Sequence, residues 1–136
     1  MSKRVLLDES VPRQLATVLN ASGISATPYP NDWKQTQNGE LLTLAEQAGF
    51  DVLITSDKSI YAQQNLRGRS IAIVVLPTNR HRHVMARAAD VADTIVRINA
   101  AQYVVIESNG ARPVINYNAD TAEGADMPPV KPFEFR

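Results

Sequence analysis

Short continuous apolar runs alternate along the chain with segments whose apolar residues recur every three or four positions. Val5-Leu6-Leu7 is the first run, bounded by charges, and reads as a buried strand. Ser10-Val11-Pro12 reads as a helix start, with Ser10 as N-cap and Pro12 in the first turn, where its missing N–H costs nothing. Leu15, Val18 and Leu19 carry that helix to Ala21-Ser22-Gly23. Ile24 to Thr27 is a weaker strand, expected near a sheet edge. Pro28-Tyr29-Pro30-Asn31-Asp32-Trp33 is a loop, because each proline disfavours helix at the residue before it.

Asn38-Gly39-Glu40 opens the next helix, whose apolar face is Leu41, Leu42, Leu44, Ala45 and Ala48, and Gly49 stops it. Asp51 to Thr55 is the clearest strand. Lys58 to Asn65 predicts a short helix broken by Gly68, and Ile71 to Leu76 a fully buried strand. A single long helix is expected over His83–Asn99, with Val84, Ala88, Val91, Ala92, Ile95 and Ile98 on its core face. Tyr103 to Ile106 is a fifth strand, and Asn109-Gly110 predicts a tight hairpin into Val114-Ile115. The alternation of strands and helices predicts an α/β three-layer sandwich with a mostly parallel five-stranded sheet. Residues 1–116 form the domain. Residues 117–136 lose all periodicity and read as a C-terminal tail or docking arm. Phe133 and Phe135 end it, and they need a surface: a second subunit in a homodimer, a partner protein, or their own domain.

In this architecture Asp8 and Glu9 close the first strand, Asp57 follows the third, and Glu40 begins the helix between them. If the first and third strands are parallel neighbours, Asp8 and Asp57 share the crevice at their carboxyl ends, where open α/β sheets bind ligands. Each residue alone has an ordinary role, as a cap or a first-turn acid. Together they come from three segments and would repel one another, and a divalent cation relieves that repulsion. Oxygen-only ligands suit Mg²⁺ or Mn²⁺. Asp8, Glu40 and Asp57 are the candidate catalytic residues, and Glu9 joins them as a candidate metal ligand.

Composition narrows the partners. The 136 residues fit one domain with a real core. Net charge is +0, so any grip on nucleic acid must come from local clusters. Arg80-His81-Arg82-His83 is one such cluster, and Lys58, Arg67 and Arg69 could flank the crevice. The two histidines, two residues apart, do not share a helix face, which argues against zinc. Tyr29 and Trp33 could stack on bases, although loop aromatics more often pack on their own domain. The absence of cysteine removes disulfides and thiolate chemistry. No run is long enough to span a membrane, and the N-terminus enters a strand at once, so a cytoplasmic protein is the expectation.

Leu6-Leu7-Asp8-Glu9-Ser10-Val11-Pro12, Asn38-Gly39-Glu40-Leu41-Leu42 through Ala45, and above all Phe50-Asp51-Val52-Leu53-Ile54-Thr55-Ser56-Asp57-Lys58, followed by Gln63-Gln64-Asn65-Leu66, resemble a compact PIN-like nuclease family. The resemblance covers Arg4 to Ile106. It implies a metal-dependent ribonuclease, with Asp8, Glu40 and Asp57 as its acidic site and Glu9 as the second member of the Asp-Glu pair. Related members are toxins held by a small antitoxin partner. PIN nucleases usually carry a fourth acidic residue, and only Asn65 and Asn79 offer themselves for that place. Two other readings use the same residues. One is a receiver-like regulatory module with Asp57 as phosphoacceptor, Lys58 beside it and Thr78 as the switch hydroxyl. The other is a catalytically inactive PIN-like binding protein.

Overall fold

The structure is a computed structural model that describes residues 3–34, 36, 38–60, 66–119 and 125–134. Its strands are β1 (Arg4–Leu7), β2 (Ser25–Thr27), β3 (Val52–Thr55), β4 (Ala72–Val75), β5 (Gln102–Val105) and β6 (Val114–Asn116). Among the described residues there are four α-helices: α1 (Gln14–Ala21), α2 (Asn38–Gln47), α3 (His81–Ala86) and α4 (Ala88–Arg97). Their strands form one sheet in the order β2-β1-β3-β4-β5-β6, parallel except for the antiparallel β5–β6 pair.

The expected five strands are therefore six. The chain turns through Ser108–Gly110 and continues the ladder, with Glu107 N donating to Ala111 O at 2.8 Å before β6 pairs with β5. The loop holds three residues rather than two, and Gly110 takes the positive φ of +92° that its last position requires.

The core follows from period-two alternation on strands buried on both faces. Val5, Leu7, Val52, Ile54, Ala72, Val74 and Val104 face one way, toward Leu15 and Leu19 of α1, Val84 of α3, and Val91 and Ile95 of α4. Leu6, Leu53, Ile73, Val75 and Tyr103 face the other way, toward Leu41, Leu42 and Ala45 of α2. Helices thus cover both faces of the sheet. No helix among the described residues is long and apolar enough to cross a membrane.

Two local expectations change. Ser10 does not cap α1. That helix starts at Gln14 with Arg13 as an N-cap that makes no side-chain cap bond. The Ser10 hydroxyl is spent on Asp8 instead. The single helix expected over His83–Asn99 is two, because Arg87 leaves helical geometry at φ −116°, ψ 22°. No Gly or Pro marks that break. Arg87 is instead the residue whose guanidinium grips the C-terminal segment, through Pro132 O at 3.0 Å and Lys131 O at 2.5 Å. Of the helix expected over Lys58–Asn65, residues 61–65 lie outside the described residues.

The described part of the tail packs on its own domain. Met127 bridges antiparallel to Arg112, Val130 N donates to Gly110 O at 2.8 Å, and Phe133 N donates to Ser108 O at 2.8 Å. Phe133 joins the core beneath the Arg87 guanidinium, which lies 4.3 Å from its ring centroid. Phe135 lies outside the described residues.

Candidate functional site

β1 and β3 are parallel neighbours, with Leu7 opposite Ile54, and β2 lies on the far side of β1. The chain therefore reverses its direction of travel across the sheet between β1 and β3. Asp8 and Asp57 leave these two strands at their carboxyl ends. Both line one cleft of about 390 Å³, together with Glu9, Ser10, Tyr29, Thr36 and Leu41.

A chain of hydroxyls fixes the two aspartates. Asp8 N extends the ladder to Ile54 O at 2.8 Å, which sets the height of its carboxylate. Asp8 Oδ2 then accepts from Thr55 Oγ1 and from Ser10 Oγ, each at 2.8 Å. Thr55 is buried, and its Oγ1 also accepts from Asp57 N at 3.0 Å. One threonine hydroxyl thus touches both aspartates' residues. Asp57 Oδ1 accepts from Ser59 N at 2.9 Å and Ser59 Oγ at 2.6 Å, an Asx-type turn that closes the strand. Thr55 ends β3 and Asp57 follows two residues later, while Asp8 and Ser10 bracket the turn after β1 that Val11 N closes on Asp8 O at 3.0 Å.

Tyr29 forms the wall beside Asp8 and Glu9. Burial pushes its phenol above its ordinary range; a bond with Thr36 opposes this, and the charges of Asp8 and Glu9 reinforce it. It stays protonated and donates to Trp33 O at 2.5 Å. Its ring meets Trp33 edge-on at 6.4 Å, and Trp33 meets Phe50 the same way at 6.4 Å. These aromatics pack within their own domain.

Glu40 sits in the first turn of α2, exposed, and is not among the residues lining the cleft. The helix explains this. Leu41, Leu42 and Ala45 face the sheet, and at about 100° per residue Glu40 falls on the opposite side. Among the described residues, no three His, Cys, Asp or Glu side chains gather closely enough to hold a metal ion. The cleft nonetheless suits a small hard cation in its donor chemistry, which is oxygen throughout. Mg²⁺ is commonly held by only one or two carboxylates, with water and substrate phosphate completing its shell.

The basic residues divide between the two ends of the sheet. Lys58 stays beside Asp57 and lines an adjoining cavity. Arg69 is at the other end, paired with Glu46 at 2.7 Å just before β4 begins. The intervening strand length is about 13 Å, at roughly 3.3 Å per residue. Arg67 precedes it on the same turn, so neither flanks the crevice as expected. Arg80 and Arg82 are exposed at the start of α3, and Arg82 lines a cavity with Arg87 and the C-terminal segment rather than the acidic cleft. Thr78 Oγ1 accepts from Arg80 N at 3.1 Å, the ordinary work of a turn. Arg13, passed over in the sequence, reaches toward the cleft by donating to Tyr29 O at 3.1 Å.

No family model, no curated protein and no solved structure matches the chain. The functional reading therefore rests on the chemistry of the cleft residues.

Proposed function

We propose that the protein is a metal-dependent ribonuclease of PIN-like type whose centre is the cleft of Asp8 and Asp57. The observation that carries this reading is the placement of both aspartates in one cleft at the turning point of the sheet, tied to each other through Thr55 Oγ1.

Asp8 and Asp57 would hold Mg²⁺ or Mn²⁺, with Glu9 at the rim. When bound, the ion supplies an activated water and neutralises charge at the scissile phosphate. The chain's own residues prepare that site. Ser10 and Thr55 occupy Asp8 Oδ2, which fixes the plane of the carboxylate. Tyr29 and Leu41 wall the cleft. Lys58 supplies a cation for the RNA backbone beside Asp57. Glu40, on the outward face of α2, is assigned no part in holding the ion.

The test is cleavage of a fluorescent single-stranded RNA in Mn²⁺ by wild type, Asp8→Asn and Asp57→Asn. Wild type should cut, and each variant should lose at least 100-fold in rate while keeping its fold by circular dichroism. Cleavage that survives both substitutions, or a wild type that never cuts, overturns the reading.

A further inference from the structure

A second cavity opens at the same end of the sheet. It has a volume of about 520 Å³ and is walled by Lys58, Pro77, Pro113 and the segment Val105–Asn109. Lys58 follows Asp57 directly, so adjacent residues line this cavity and the acidic cleft. Its apolar surface comes from the half-buried Pro77, Val105 and Pro113, with Ile106 buried behind them. Its rim is polar: Lys58, Glu107, Ser108 and Asn109 are all exposed.

The rim is stiff. Gly110 N donates to Glu107 O at 2.9 Å, and Asn109 Oδ1 accepts from Ala111 N at 3.0 Å. The C-terminal segment braces the loop from behind through Gly110 and Ser108. A Cβ at Gly110 would lie 1.9 Å from Val130 O, so only glycine allows this approach. A preformed surface of this kind loses little freedom when it binds.

We propose that this cavity is a subsite for the nucleotide adjoining the scissile phosphate on a single-stranded polynucleotide. The proposal rests on the nuclease reading of the acidic cleft. A nucleobase has two apolar faces and a polar edge, so its faces can leave water against Pro77, Val105 and Pro113 while its edge meets the polar rim. Lys58 sits where the linking phosphate passes between the two cavities, and Glu107 accepts from an exocyclic amino group. A base inside a duplex has its faces stacked and its edge paired, so the subsite selects unpaired strands.

The experiment is amide-resolved NMR of the full chain in EDTA, titrated with AMP and with a five-residue oligoadenylate. Mn²⁺-dependent cleavage is measured separately. The oligomer should shift amides in both Asp8–Ser10 and Val105–Asn109, and AMP should bind at least ten-fold more weakly. Lys58→Ala should weaken the oligomer about ten-fold and reduce its salt slope by about 0.7. Silent 105–109 amides, or no binding of the oligomer, overturn the subsite even where cleavage persists. Shifts at 105–109 with no cleavage keep a nucleotide-binding cavity but overturn both the nuclease reading and its assignment beside a scissile phosphate.

Discussion

Thr55 shows how much one buried hydroxyl can organise. It donates to Asp8 Oδ2 and accepts from Asp57 N, so replacing it removes two bonds from the cleft floor. Thr55→Val keeps the volume and leaves the Asp57 N–H without its acceptor. Urea unfolding should show a loss of about 1–3 kcal/mol. Ser10→Ala, at a half-buried position, should lose less. Tyr117 is a second buried hydroxyl, at the opposite end of the sheet, donating to Ile71 O at 2.6 Å. Burial first, and the charge of Glu46 second, push its phenol from 10.0 up to about 12, with Arg69 opposing. Because the folded value lies above the unfolded one, its contribution is complete below pH 10 and is lost as pH rises through 12. The stability difference between wild type and Tyr117→Phe should therefore shrink between pH 10 and 12. A constant difference over that range would contradict the assignment. Asp8 and Asp57 were legible in the sequence as strand-end carboxylates. Glu40 was read with them, but it is exposed and off the cleft lining, on the side of α2 away from Leu41, Leu42 and Ala45. The second hydroxyl on Asp8 was not legible, because Ser10, two residues before Pro12, reads first as a cap.

At the scale of elements, both sheet edges are closed by side chains. Asn20 on α1 bonds Ala26 N at 3.0 Å and Ala26 O at 2.8 Å, covering the outward groups of β2. On β6, Asp126 Oδ1 accepts from Val114 N at 3.1 Å. Open strand edges recruit other chains, and these contacts occupy one residue's outward groups on each edge strand. Asn20→Ala should cost about 1 kcal/mol in urea unfolding, and an unchanged midpoint would show that water replaces the amide at no loss. The strands, α1 and α2 followed directly from apolar periodicity, since their buried faces are local patterns. The break between α3 and α4 did not. Met85-Ala86-Arg87-Ala88-Ala89 contains no breaker, and the bend lies at the arginine that binds a segment more than forty residues away. Local propensity cannot report a partner that distant.

The whole molecule depends on the C-terminal segment more than its composition suggests. Arg112 is buried, with Nη1 on Asp93 at 2.7 Å and on Thr94 Oγ1 at 3.0 Å, and Nε on Pro128 O at 2.8 Å. Its hydrogen bond holds the Asp93 carboxyl below its usual range against the opposing effect of burial, with help from Arg97. Deleting the segment after Asn118 takes the Pro128 carbonyl from a buried guanidinium and removes Phe133 from the core. The cost should exceed about 3 kcal/mol. The truncated chain should unfold at a markedly lower temperature, and a melt close to that of the full chain would show the segment to be dispensable. The sequence left packing on its own domain as one of three alternatives for Phe133, because the packing lies in isolated arginine–carbonyl contacts and one aromatic ring.

The central claim is that Asp8 and Asp57 together hold a divalent cation at the turning point of the sheet. A crystal grown in Mn²⁺ and measured at the manganese absorption edge tests it most directly. The expected result is an anomalous peak in the cleft, about 2.1 Å from an oxygen of each aspartate, absent in Asp57→Asn. A map with no peak between the two carboxylates, from crystals saturated with Mn²⁺, would contradict the account.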